Sequence, residues 1–327
     1  MPDLTGSAGP FGPATALTSL TVGGVPTQGM GNSLPITTGN TYFVSSVTGA
    51  AANDGLSLGA PLAKVWGTTG AHSKCTTTNN DVIVVLPGHT ETLSSATTVK
   101  LDKAGVTITG LGYGAYRPTF TIDTGNTVTI NVSAANVTVN NCVFVGNFLS
   151  IAACFTLTTA ANFTLTNCLF SDAGASLDFL NIIKSTGAAN TIDGLTVINN
   201  RWNGLGTTSV STFILTAAAV DKMTVMSNTV NQVATTDLAS LIIATTGALT
   251  NLICAYNRTT RLATTSTVAL ISGGSTTSNG FVYNNYMQTK DTSTNTIATA
   301  STGLSFFENY LTGVLGASGF IKPDRDT

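Results

Sequence analysis

An eight-residue pattern recurs seven times in this chain, and it restricts the fold more than any other feature. The copies are VTVNNCVF (residues 137–144), FTLTNCLF (163–170), LTVINNRW (195–202), MTVMSNTV (223–230), LICAYNRT (252–259), GFVYNNYM (280–287) and LSFFENYL (304–311). The third position reads Val139, Leu165, Val197, Val225, Cys254, Val282, Phe306 and is apolar throughout. The first reads Val137, Phe163, Leu195, Met223, Leu252, Gly280, Leu304. The sixth reads Cys142, Cys168, Asn200, Asn228, Asn257, Asn285, Asn309. Copies lie roughly 24 to 32 residues apart, the spacing of coil-type repeats. A second apolar run falls between copies, as in CFTLTTA, FLNIIKS, STFILTAA and ASLIIATT. Each period therefore holds at least two short strands joined by turns, which is one coil of a parallel β-solenoid.

Stacked coils place equivalent residues about 4.8 Å apart. Asparagine tolerates the left-handed dihedrals of a tight turn, and stacked amides hydrogen-bond to each other. The sixth column is thus expected to be a buried structural ladder of turn residues: Cys142, Cys168, Asn200, Asn228, Asn257, Asn285 and Asn309. The aromatic residues that follow, Phe144, Phe170 and Trp202, are expected to start an inward column.

Composition agrees with an all-β chain. Only 9% of the residues are charged, whereas 60 are threonine, a residue that suits a pleated surface. Net charge is −2 and no Lys/Arg cluster occurs, so nucleic-acid binding lacks electrostatic support. No run of about 18 apolar residues and no secretory leader are present, so no membrane association is expected. Five cysteines without C-x-x-C spacing read as reduced, buried thiols of a cytoplasmically folded chain.

Three regions are expected. Residues 1–40 carry no charge after Asp3 and read as an extended arm that docks on a partner, with Leu4, Phe11, Leu17, Leu20, Val22, Met30 and Leu34 as candidate contacts. Residues 41–120 form a capping module and the first coils, including a short helix within APLAKVWGTTGAHSKCT. Residues 121–327 hold the repeated coils and their C-terminal close.

The segments NDGLSLGAPLAKV, DVIVVLPGHTETL and VTITGLGYGAYRP, with the octets, resemble right-handed parallel β-helix proteins of the pectate-lyase-like superfamily. The resemblance covers residues 42–312. It implies a single-stranded right-handed β-helix whose first coil opens at Pro87, Gly88 and Glu91. The pattern VLPGHTETL…GVTITGLG…RPT is most similar to β-helices encoded among phage virion genes.

That superfamily includes lyases, hydrolases, tailspikes and non-enzymatic virion proteins, and the chemistry has to discriminate. Glycoside hydrolysis needs two carboxyls roughly 5 to 9.5 Å apart. The chain has only Glu91 and Glu308, and scattered aspartates; Asp193 and Asp221 precede equivalent strands of adjacent coils, Asp172 and Asp178 are close in sequence, and these are the pairs that could come within catalytic range. No Asp-Asp or Asp-Gly-Asp cluster occurs, so no catalytic residue, cofactor or metal is expected; His72 and His89 read as structural. Trp66 and Trp202 read as core, whereas Tyr256, Tyr286 and Tyr310 flank the ladder and are surface candidates for sugar stacking. Thr-x-Thr pairs at Thr107/Thr109, Thr127/Thr129 and Thr164/Thr166 do not recur in register coil after coil, as an ice-matching face requires. The resulting expectation is a non-enzymatic virion protein, a homotrimeric capsid decoration or cement protein folded in the host cytoplasm. It would contact the major capsid protein and pack through apolar faces such as STFILTAAA and ASLIIATTG. The alternative is a tailspike or head fibre that binds, or also cleaves, a host surface polysaccharide.

Overall fold

The computed structural model describes residues 37–94, 99–206, 211–232, 238–261, 269–273, 277–289, 296–298 and 303–313, with short strand pairs at 21–22, 25–26 and 322–323. The chain winds as a right-handed parallel β-helix of three long sheets. The first sheet has ten strands in chain order, from Thr41–Val44 and Val82–Val85 through Thr138–Asn140 and Thr224–Met226 to Leu304–Phe307. The second runs from Thr90–Leu93 to Tyr310–Gly313 and is closed by the antiparallel strand Lys322–Pro323. The third runs from Lys100–Leu101 to Thr296–Ala298.

The three-strand coil is written in the alternation of the sequence. Within the first sheet every octet pairs with the next in register. Val139, Leu165, Val197, Val225, Cys254, Val282 and Phe306 form one continuous inward column. Gly280 keeps its place opposite Leu252, where any Cβ would lie 2.2 Å from the Leu252 carbonyl oxygen. In the second sheet Phe120, Phe144, Phe170 and Trp202 stack in register inside the coil. Ring centroids are 5.5 Å apart for Phe120–Phe144 and 5.4 Å for Phe144–Phe170, with nearly parallel planes. All four side chains are fully buried, and offset stacking adds to their area burial.

The capping module closes the first coil. Its helix is one turn, Ala71–Lys74, shorter than the apolar run implied, and Trp66 is buried just ahead of it rather than on it. The Glu91 carboxylate accepts the backbone N–H groups of Val65 (2.7 Å) and Trp66 (3.3 Å) and so fastens the cap to the second sheet. His89 stands 3.3 Å from the same carboxylate and is completely buried. Gly88, at φ 76°, makes the turn that the Pro-Gly pair announces.

One expectation changes here, one holds in a finer form, and one lies largely outside the described residues. The apolar faces of STFILTAAA and ASLIIATTG are mostly interior: Phe213, Ile214, Leu241 and Ile242 are buried, and of the large apolar side chains Leu215 and Ile243, paired in register, face outward half-buried. Threonine does recur coil after coil in one outward column, Thr107, Thr138, Thr164, Thr196 and Thr224. The neighbouring column breaks the array with Asn140, Ile198 and Met226, so no two-rank threonine face forms. Of the proposed arm contacts, Leu4, Phe11, Leu17, Leu20, Met30 and Leu34 lie outside the described residues. Val22 pairs with Val25 in a two-residue antiparallel ladder. At the end of the expected arm, the Asn40 backbone N–H donates to Asp81 Oδ1 at 2.7 Å, tying that residue to the body.

Candidate functional site

The turn between the first and second sheets carries both the ladder and the chain's most distinctive surface. Its geometry revises the reason for the Asn-Asn pair. The left-handed residue is the first of the two. Asn141, Asn167, Asn199, Ser227, Tyr256, Asn284 and Glu308 all have φ between 51° and 57°. The second residue, which the sequence reading cast as the left-handed one, turns its side chain inward instead. Asn200 donates through Nδ2 to Leu165 O (2.9 Å) and to Asn228 Oδ1 (3.1 Å), and that oxygen also accepts the Asn200 backbone N–H (3.0 Å). The arrangement repeats from Asn228 to Asn257, from Asn257 to Asn285 and from Asn285 to Asn309. Asn309 ends it by donating to Val282 O at 2.8 Å. Each of these five amides is buried. At the other end the Cys168 N–H donates to Asn200 Oδ1 at 2.8 Å, and the Arg117 guanidinium donates to the carbonyls of Cys142 and Asn167. Outside, Asn199 donates to Asn167 (2.6 Å) and Asn167 to Asn140 (2.8 Å), a second ladder on the surface. The pair therefore separates two tasks, a left-handed turn and a buried amide stack.

In the last three coils this turn and the strands that flank it bear aromatic side chains on the outside. Tyr256, Phe281, Phe307 and Tyr310 are between 40% and 54% exposed. Tyr283 and Phe307 lie face to face, 4.8 Å between centroids and 5° between planes. Tyr256 meets Tyr283 edge-on at 5.5 Å, and Phe281 meets Phe307 at 6.3 Å. Arg258 lies over the Tyr286 ring at 5.4 Å. Tyr256, Tyr286 and Tyr310 were read from the sequence as surface residues; Phe281, Tyr283 and Phe307 were not singled out. Their signal was alternation, since Phe281, Tyr283 and Phe307 flank the inward Val282 and Phe306. A bulky residue in the left-handed region, such as Tyr256, is disfavoured by about 1–2 kcal/mol. Strain kept at an exposed position points to use rather than packing.

The two aspartate pairs have different surroundings. The Asp193 carboxylate accepts the Asp221 N–H at 2.8 Å, and Asp221 Oδ1 accepts from Thr250 Oγ1 (2.8 Å) and Asn251 Nδ2 (2.7 Å). The hydrogen bond from Asn251 leads the influences that hold the Asp221 carboxyl below its usual range. These are turn-building contacts. Asp172 and Asp178 are almost wholly buried beside Trp202. Asp172 accepts the N–H groups of Phe179 (3.2 Å) and Leu205 (2.8 Å), and Trp202 Nε1 donates to it at 3.4 Å. Burial, reinforced by the charge of Asp178, pushes Asp172 up to about 6. Burial also raises Asp178, whose Oδ1 accepts the Ser150 N–H at 3.1 Å. A carboxyl near 6 has the proton affinity of a general acid, but its oxygens are taken up by loop N–H groups.

All five cysteines are free and buried, and desolvation pushes Cys75, Cys168 and Cys254 up to about 12. Such thiols stay protonated and do not act as nucleophiles. Among the described residues no three His, Cys, Asp or Glu side chains gather as a metal site.

No family model matches the chain, and no curated protein matches it. Solved structures do. A rhamnogalacturonan lyase aligns over 87% of this chain and 90% of its own, at 11% identity and a TM-score of 0.43. A GH136 lacto-N-biosidase from Eubacterium ramulus aligns over 84% of this chain and 68% of its own, at 11% identity and a TM-score of 0.35. These matches correct one expectation from the sequence. Both neighbours are enzymes, so the expectation that the chain is not an enzyme does not stand. At this identity the likeness is one of fold, and the fold it indicates is the parallel β-helix found in polysaccharide lyase and glycoside hydrolase structures.

Proposed function

We propose that the chain binds a polysaccharide along the exposed aromatic strip of its last three coils, as a β-helix displayed on a phage particle. The strip carries the proposal. Six aromatic side chains and Arg258 gather on neighbouring outward columns in and beside one turn, and the fold does not require aromatics there, because in earlier coils those columns hold residues such as Asn140, Thr166, Ile198 and Met226, or Asn199 and Ser227 at the turn itself. Sugar rings present apolar C–H faces that stack on aromatic rings while their hydroxyls stay hydrated. The spacing of stacked coils, about 4.8 Å, repeats the platform along the axis and so suits an extended chain better than a single sugar.

The test is retention of the purified protein on a panel of immobilised bacterial surface polysaccharides. At least one should retain it, and Tyr283→Ala or Phe307→Ala should weaken that binding about tenfold, the loss of roughly 1.4 kcal/mol. No retention on any polysaccharide, or retention unchanged in both variants, would dispose of the proposal.

The particle setting is supported by the phage-like capping motif and by a surface poor in charge. A homotrimer in contact with the major capsid protein is part of the same reading, and the paired outward residues Leu215 and Ile243 are its apolar contact on this chain. Sedimentation should give about three times the 33.3 kDa chain mass, and a monomer would remove the trimer.

A further inference from the structure

The capping module holds a cleft far from the aromatic strip. It lies between the helix Ala71–Lys74 and the segment Lys100–Lys103, encloses about 270 Å³, and is lined by Thr68, His72, Lys100, Asp102 and Lys103 among others. That volume is near the lower limit of small-molecule sites, roughly 300–1,000 Å³.

Its polar groups are incompletely satisfied in a specific way. Lys100 Nζ lies 2.5 Å from Asp102 Oδ2, so one carboxylate oxygen is paired. The other, Asp102 Oδ1, is buried and has no hydrogen-bond partner. His72 Nε2 is also buried and unpartnered, on a side chain only 7% exposed. These two atoms face each other across 3.8 Å, too far for a direct hydrogen bond. Buried polar atoms without partners are costly, and a pair that converges on a cleft calls for a ligand that supplies both. Asp102 Oδ1 requires a donor. Lys103, which makes no ion pair among the described residues, and Lys100 call for acceptors carrying negative charge.

We propose that this cleft binds a phosphate group, free or as a monoester. A singly protonated phosphate carries both functions on one centre: a P–OH to donate to Asp102 Oδ1 and P–O⁻ oxygens for the two ammonium groups. Sulfate has the same size and shape but no proton to donate near neutral pH, so its oxygens would confront the Asp102 carboxylate. Discrimination between the two is therefore built into the carboxylate. His72 is neutral before binding: desolvation lowers it to about 4, with Lys103 and Lys100 acting in the same direction and Asp102 opposing them. A bound anion favours the imidazolium, so occupancy should raise the His72 pKa.

The experiment is calorimetric titration of the full chain at neutral pH with inorganic phosphate, and in parallel with sulfate. Phosphate should bind at least tenfold more tightly. Lys103→Ala should weaken phosphate at least tenfold. Asp102→Asn should erase the preference for phosphate over sulfate, because an amide can donate where the carboxylate cannot. The chain has two histidines, so the imidazole resonances give an independent reading. Phosphate should move those of His72 and leave His89, buried against Glu91, in place. Competition by glycerol phosphate would assign the site to monoesters; binding of inorganic phosphate alone would assign it to the free ion, and both outcomes support a phosphate site. Equal binding of phosphate and sulfate by the unaltered chain, no binding, or a silent His72 would overturn it.

Discussion

The first coils and the last coils of this helix use aromatic residues in opposite ways. In the early coils they are inside: Phe120, Phe144, Phe170 and Trp202 fill one column of the second sheet and are fully buried. The same column continues as Val230, Thr259 and Met287, without aromatics. Across those later coils the aromatics stand outside, at Tyr256, Phe281, Tyr283, Phe307 and Tyr310. The ladder also changes along the axis, from Cys142 and Cys168 to five asparagines. The thiols stand in the coils of Phe144 and Phe170, and the amides begin at Asn200, in the coil of Trp202, and continue through every later octet. The outer aromatics answer no demand of the interior. The difference separates side chains that the fold needs from side chains that it merely displays.

Substitutions should divide along the same line. The largest effect belongs inside the early coils. Phe144→Ala removes the ring shared by Phe120, Phe155 and Phe170 and should cost about 3–5 kcal/mol in a urea titration. Next comes the later interior. Asn228→Ala leaves the Asn200 N–H without its acceptor, Asn200 Nδ2 with Leu165 O alone and Val197 O without its side-chain donor, and should cost about 2–3 kcal/mol. A smaller effect comes from the Asp172 carboxyl, near 6 in the folded chain against roughly 3.9 unfolded. The folded state then holds this proton more tightly than the unfolded state. Its contribution to stability therefore rises as pH falls from 7 to 5, by on the order of 1 kcal/mol, and Asp172→Ala should flatten that slope. The smallest change should be a gain. Tyr256→Asn relieves a tyrosine at φ 57° and should stabilise the chain by about 0.5–1 kcal/mol while weakening polysaccharide retention. A variant that is more stable and binds as before would mean that Tyr256 plays no part in binding.

Much of this architecture is legible in the sequence because a solenoid repeats its local rules. Each apolar column of the octets corresponds to a register pairing, including the offset coil at Gly280. The assignment of the left-handed residue was displaced by one position. Pattern alone does not say which of two adjacent asparagines turns the chain, and Ser227, Tyr256 and Glu308 hide the column that does. The reading of STFILTAAA as an exposed face failed for a related reason. Strand Ser211–Thr216 runs six residues, and a bulge between Ser211 and Thr212 shifts its alternation. The aromatic strip was visible only in part, because Tyr283 and Phe307 look like core residues until the register puts Val282 and Phe306 inside. The cleft at His72 was not visible, since Asp102 lies 30 residues away and joins it only through the coil.

One paired measurement tests the division most directly: thermal midpoint and polysaccharide retention for Phe144→Leu beside Phe307→Ser. The inside substitution should lower the midpoint by several degrees and leave retention unchanged. The outside one should leave the midpoint within about a degree and reduce retention about tenfold. If Phe307→Ser instead lowers the midpoint as much as Phe144→Leu, and retention is unaffected, the outer aromatics are part of the packing and the division fails.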